Sequence, residues 1–184
     1  MKPDRKIPEP GEAAIAHTAR LTLRRLTLGD AAAIQPLADD WEVAKQTANL
    51  AFPYGAAEAQ AFIARALAAH RSGRELTFAI VRKQDAGLIG LLGLVADVAP
   101  MEVGYWLGRA FWGQGYAAEA LAAAQNYVQS QLRHNRLHAV VFAENAASIR
   151  VLTKCGFSFL EESREDMPHR GGMRSLHLYQ WQAP

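Results

Sequence analysis

From Leu21 to Leu28 the chain reads LTLRRLTL. Apolar and polar residues alternate there with the period of a strand that buries one face. Asp30 stands before an alanine-rich run that reaches about Ala38, the pattern of a capped helix, with Pro36 interrupting its regularity. Residues 40–49 form a second short helical stretch. Phe52-Pro53-Tyr54-Gly55 is a turn, and beyond it Phe62, Ile63, Ala66 and Leu67 recur at helical spacing, which predicts an amphipathic helix over about 57–71. Strands follow at 75–82 (ELTFAIVR), 88–98 and 101–107 (MEVGYWL). The short turns at Lys83–Gly87 and Ala99–Pro100 make them antiparallel neighbours. A helix opens at Gly113–Tyr116 and runs to about Gln131. His138–Ala143 reads as a buried strand, and Asn145 begins a helix that ends near Cys155-Gly156. Strands at 157–162 and 174–181, joined by a polar loop, close the chain.

The resulting order is β-αα-βββ-α-β-α-ββ. It predicts an α/β fold: a mixed, mostly antiparallel central sheet with helices on both faces, in one domain over 17–184. Residues 1–16 mix charges with prolines and are expected to be a disordered lead outside that domain. A chain of 184 residues buries roughly 70% of the surface it exposes when unfolded, so its core needs no cross-link. The one cysteine, Cys155, forms no intramolecular disulfide. The histidines lack ligand spacing such as H-x-x-x-H, and no metal is expected. A net charge of +2 does not point to nucleic acid or an anionic membrane as partner. The first residues lack a signal peptide's apolar core, and no apolar run is long enough to span a bilayer. A cytoplasmic location is expected.

Gly113-Gln114-Gly115-Tyr116-Ala117-Ala118 sits between a strand and a helix. Glycines there let the backbone approach a ligand closely, and the helix N-terminus favours an anion, typically phosphate. A plain tight turn is the bland alternative. The string also fits G-x-G-x-x-A, the fingerprint of a nicotinamide-dinucleotide site, with Glu144 placed as a ribose-binding acid. Two features weigh against that fingerprint. Gly108–Trp112 separates the strand from the glycines, and the chain after Ala118 is short for a doubly wound sheet. A P-loop is excluded, since no Lys-Ser or Lys-Thr follows the glycines.

A third reading comes from resemblance. Trp112 to Ala117 resembles the acetyl-CoA pyrophosphate loop of GNAT acetyltransferases, Q/R-x-x-G-x-G/A, with Trp112 where Gln or Arg is usual. The aromatic there, together with Gly104-Tyr105-Trp106-Leu107 and Phe111 through Ala120, is similar to the RimJ/RimL-like branch of ribosomal-protein N-terminal acetyltransferases. A second block, Asn145-x-x-Ser148-x-x-Val151-Leu152-x-Lys154-x-Gly156-Phe157, resembles that family's N-x-x-[A/S]-x-x-L-Y-x-K-x-G-F, and the element order agrees over about 20–182.

The resemblance implies direct attack of a primary amine, at a protein N-terminus or on a small molecule, on the thioester of acetyl-CoA as cosubstrate. It implies coenzyme contacts at Tyr105, Trp106, Leu107, Trp112, Gly113, Gln114, Gly115, Tyr116, Ala117, Ala118, Asn145 and Ser148. An amine of pKa about 8 to 10.4 needs a base, and Glu102 resembles the catalytic glutamate of the histone-acetylating branch. Glu102 shares a strand face with Gly104 and Trp106; a solvated strand-end carboxylate is the other reading, with Glu161, Glu162, Glu165 and Asp166 as further candidates. Ser148 resembles the serine proposed to protonate the coenzyme thiolate, and Leu152 stands where many members carry a tyrosine acid. Asn145 is by default a helix cap. Cys155 has no activating constellation around it. Trp41, Phe52 and Tyr54 belong either to the acceptor site or to the core. A module that holds acyl-CoA without turnover is the alternative from a different class.

Overall fold

The computed structural model describes residues 14–184. Its strands are β1 (Ala14–His17), β2 (Leu21–Arg25), β3 (Glu75–Arg82), β4 (Leu88–Val95), β5 (Met101–Leu107), β6 (Arg136–Phe142), β7 (Ser158–Met167) and β8 (Gly172–Gln182). Its helices are α1 (Ala31–Ala38), α2 (Trp41–Ala44), α3 (Ala56–Arg71), α4 (Tyr116–Ser130) and α5 (Ala146–Lys154). The strands form one sheet in the order β1-β2-β3-β4-β5-β6-β8-β7. Every neighbouring pair is antiparallel except β5 and β6, which run parallel.

The alternation of β3 shows why helices cover both faces. Leu76, Phe78 and Ile80 join Leu121, Ala124 and Val128 of α4 in one core, whereas Ala79 and Val81 join Ile34 of α1 and Ile63 of α3 in another. Successive residues of a strand point to opposite faces, so one apolar strand serves both cores. Phe78, Ile80, Ile34, Ile63 and Leu121 are fully buried.

Several expectations are corrected. The lead expected over 1–16 yields its last residues to the sheet: Ala14–His17 pairs with β2, and Thr18 closes the intervening turn through its hydroxyl on Leu21. Residues 1–13 lie outside the described residues. Asp30 precedes α1, but its side chain does not cap that helix. The carboxylate instead accepts from the Thr27 amide at 2.7 Å and from Arg24 at 2.6 and 2.8 Å. Residues 40–49 are helical only over Trp41–Ala44. The polar loop expected after residue 162 is a long hairpin, with Glu165 opposite Arg174 in its ladder. Its outer strand, β7, is exposed along almost all of its length.

Between β4 and β5 the two backbones pass closely at Gly90. A Cβ built there would lie 2.2 Å from the Trp106 carbonyl oxygen and 2.8 Å from Leu107 Cα. Gly90→Ala is therefore expected to destabilise the protein by about 1–3 kcal/mol, measured by urea denaturation. An unchanged midpoint would show that the pair yields without cost.

Candidate active site

The partial pairing of β5 with β6 creates the site. Their parallel ladder holds Met101 opposite Leu137 and Glu102 opposite His138, and does not continue beyond them. On its other side, β5 pairs with β4 up to Leu107 opposite Gly90, and the Gly108 amide donates to Ile89 at 2.9 Å. That bond sets the phase of the ladder, because residues of an antiparallel strand direct their backbone groups alternately to one neighbour and the other. Glu102, Gly104 and Trp106 thus bond to β4, while Val103, Tyr105 and Leu107 turn their amides to the β6 side, the last two beyond the end of the parallel ladder. Tyr105, Trp106 and Leu107, the three strand residues expected to meet the coenzyme, all line the cavity beside this edge, but Trp106 differs in its backbone. Its amide faces β4, and its side chain packs with the α1–α3 core.

A cavity of about 1250 Å³ fills this gap. On the α1–α3 face its wall includes Glu75, Thr77, Glu102 and Arg65; on the α4–α5 face it includes Tyr105, Tyr116, Asn145 and Ser148. The void therefore passes through the sheet where β5 and β6 part. Trp112 stands beside it, and its indole donates to the Leu107 carbonyl at 2.8 Å. The aromatic at this position thus satisfies an acceptor on the free edge of β5, which a bare strand end would leave to water.

The glycine turn lies at one end of the void. Gly113 and Gly115 have φ of 71° and 80°, a region that side chains with a Cβ avoid. Gly115 caps α4, whose first residues leave amides unpaired. Gly113, Gly115, Tyr116, Ala117 and Ala118 line the cavity. Gln114 does not: its side chain donates to Ala110 at 2.9 Å, so it braces the turn from behind.

A brace from the far end of the chain was not readable in the sequence. Arg20 donates to Glu119 at 2.7 Å and to the Gln114 carbonyl at 2.9 Å, and its guanidinium lies 4.4 Å from the Tyr116 ring centre. Glu119 also accepts from the Thr18 hydroxyl at 2.5 Å and the Arg20 amide at 2.9 Å. Burial works against charge on Glu119, but Thr18 and Arg20 outweigh it and hold the carboxyl below its usual range. No local periodicity links residues a hundred positions apart, so only the fold brings them together.

Glu102 is half-buried at the start of the gap. Burial pushes its carboxyl above the usual range; His138 opposes the shift, and the Glu165 carboxylate adds to it. Of the four other acidic candidates, Glu165 lines the cavity and Glu161, Glu162 and Asp166 do not. Asn145 accepts from the Ser148 amide at 3.0 Å, the expected cap. The Ser148 hydroxyl lies 3.0 Å from that of Tyr105. Leu152 is buried, as is Tyr54, which also reaches the cavity. Trp41 and Phe52 instead form an exposed ring pair, 5.4 Å between centres, outside it. Cys155 bonds the Ala118 carbonyl and does not line the cavity. Glu144, the acid of the dinucleotide reading, is ion-paired with Arg174. With that pairing and an antiparallel sheet, the nicotinamide reading fails.

The site is thus a parallel strand pair that parts beside a glycine turn at a helix start. Residues 20–158 match the acetyltransferase (GNAT) domain family, and the chain belongs to that family of acetyl-CoA-dependent N-acetyltransferases. It is 33% identical over 166 residues to the uncharacterized N-acetyltransferase p20 of Bacillus licheniformis, covering 89% of this chain and 93% of p20. In fold it is similar to the microcin C7 self-immunity acetyltransferase MccE, solved in complex with acetyl-CoA and AMP (TM-score 0.81, 20% identity, 90% of this chain and 93% of that one). It is equally similar to RimL, the ribosomal L7/L12 α-N-protein acetyltransferase, solved with coenzyme A (TM-score 0.81, 20% identity, 92% and 98%).

The brace gives a direct expectation. Glu119→Ala removes the acceptor that orients Arg20, and amide exchange at residues 113–116 is expected to quicken by about tenfold. The pair is partly exposed, so global stability is expected to change by less than about 1 kcal/mol. Exchange at the wild-type rate would show that the turn holds its shape unaided.

Proposed function

We propose that the protein transfers the acetyl group of acetyl-CoA to a primary amine, at a protein N-terminus or on a small molecule, with Glu102 as general base and Ser148 as partner of the leaving thiolate. The observation that carries this reading is the passage through the sheet. It sets the glycine turn and Ser148 on one face and Glu102 on the other, with unpaired β5 amides between them.

In this reading the coenzyme pyrophosphate rests on the amides around Gly113–Ala117, and its pantetheine arm follows the free edge of β5 past Asn145. The Tyr105 and Leu107 amides are donors for an oxyanion, fixed in place before charge develops on it. The amine arrives from the α1–α3 face, where Glu102 takes its proton. Burial favours this role, because a base works best with a pKa near the operating pH. The fold likeness to RimL supports a protein N-terminus as acceptor, and that to MccE a small molecule. A thiol-release assay over N-terminal peptides and small amines separates these acceptors. It also separates an enzyme from a module that only holds acyl-CoA, for which no amine would release thiol.

Gly115→Asp puts a side chain and a negative charge at a positive-φ position on the proposed phosphate site. Acetyl-CoA binding, measured by calorimetry, is expected to weaken by more than about tenfold while the fold survives. Unchanged binding in a folded variant would remove the phosphate role from this turn.

Because Glu102 must be ionised to act, turnover is expected to rise with pH through its elevated pKa and to fall below it. Glu102→Gln is expected to lower turnover by roughly a hundredfold and erase that acidic limb. Glu165→Gln removes a neighbouring negative charge, so the limb is expected to move to lower pH. A near-wild-type rate in Glu102→Gln would return Glu102 to a structural role.

A further inference from the structure

Tyr105 reaches from β5 toward α5 inside the cavity. Its hydroxyl lies 3.0 Å from Ser148 Oγ and 3.4 Å from the Ser148 carbonyl oxygen; its single hydrogen serves one acceptor, and Oγ is the nearer. Both side chains line the void. Burial pushes the Tyr105 phenol well above its ordinary range, the bond to Ser148 easing the shift only in part. The phenol thus stays protonated and remains a donor.

A serine hydroxyl has one hydrogen and two lone pairs. Left alone near a helix start, it turns that hydrogen to a nearby backbone carbonyl. If Tyr105 donates to Ser148 Oγ, it occupies a lone pair and leaves the serine hydrogen to point elsewhere. The Ser148 backbone is fixed independently by Asn145, which accepts its amide at 3.0 Å. At Leu152 the helix offers no hydroxyl, and this side chain is buried. The hydroxyl beside the serine comes from the strand, as the Tyr105 phenol.

We propose that Tyr105 is a positioning residue which aims the Ser148 hydroxyl at the coenzyme sulfur. The inference rests on the reading of Ser148 given above. In the step concerned, the amine nitrogen forms its bond to the acetyl carbon and the amine proton passes to Glu102, then to water. The carbon–sulfur bond breaks with its electron pair remaining on sulfur. Ser148 stabilises that thiolate by a hydrogen bond without giving up its proton, so no charge is left on the buried phenol.

The test needs no acceptor. Coenzyme A itself is bound, and its thiol is titrated through the ultraviolet absorbance of the thiolate. In the wild type the bound thiol is expected to ionise at lower pH than the free thiol. Tyr105→Phe keeps the ring and removes the donor. This variant and Ser148→Ala are each expected to reduce the thiolate-to-thiol ratio by about tenfold at a given pH, the effect of one hydrogen bond to a charged group. The double variant is expected to lose no more than either single one. Coenzyme A affinity at low pH, where sulfur is neutral, is expected to stay within about threefold. Replacing Tyr105 by a fluorotyrosine, which strengthens the donor and keeps the shape, is expected to shift the titration the opposite way. A shift in Ser148→Ala with none in Tyr105→Phe would overturn the role of Tyr105 alone. Additive losses in the double variant would also overturn it, because Tyr105 would then act on its own. No shift in Ser148→Ala would overturn the reading of Ser148 beneath it.

Discussion

Two residue pairs of parallel ladder hold the halves of this sheet together at the centre. Strands β1 to β5 are tied by antiparallel bonds, as are β6, β8 and β7, and among the described residues the halves pair as strands only at Met101–Leu137 and Glu102–His138. Past that point the β5 edge carries backbone donors that no strand satisfies. Buried peptide groups without partners are costly, so such an edge persists only where water or a ligand completes it. Trp112 satisfies one acceptor there, the Leu107 carbonyl. The neighbouring amides stay open to the void, and Glu102 stands at its apex because it is the last residue before the strands part.

Charge is arranged around this gap with little help from net composition. On the α4–α5 face, the glycine turn and the start of α4 supply backbone dipoles, and Arg20 is held against the turn by Glu119, which Thr18 also bonds. On the opposite side, Glu75, Glu102 and Glu165 face the void. Burial, with a smaller addition from Glu165, raises the Glu102 carboxyl above its usual range, whereas Thr18 and Arg20 hold that of Glu119 below it. Two glutamates of one chain are thus driven in opposite directions by their surroundings.

The sequence made the apolar elements legible and left the polar ones obscure. Strands β3 and β5 and helix α4 announce themselves through runs of Leu, Ile, Val and Ala at clear spacing, and their boundaries fall within a residue or two of expectation. Strand β7 carries Glu161, Glu162, Arg164, Glu165 and Asp166. It is held by its ladder with β8 rather than by burial, so the pattern shows a strand only to residue 162 and reports a loop beyond it. Strand β1 is too short to show a period. Asp30 looked like a helix cap because the residue type is right, yet a nearby Arg24 competes for its carboxylate. At the site, motif spacing exposed the glycine turn, Asn145 and Ser148. The Arg20 brace and the Tyr105 hydroxyl depend on contacts across the fold, which no local pattern encodes.

The void that crosses the sheet also bears on the order of events. Exposed residues border it on both faces, Glu58 and Arg65 on one, Gly113 and Arg150 on the other. With residues of both faces in one wall, donor and acceptor can approach from opposite sides and be present together. The lone thiol of the chain lies outside the void, so its wall offers no cysteine to store an acyl group between half-reactions. Such a layout suits a ternary complex rather than a shuttle, with the two substrates kept from blocking each other by the sheet itself.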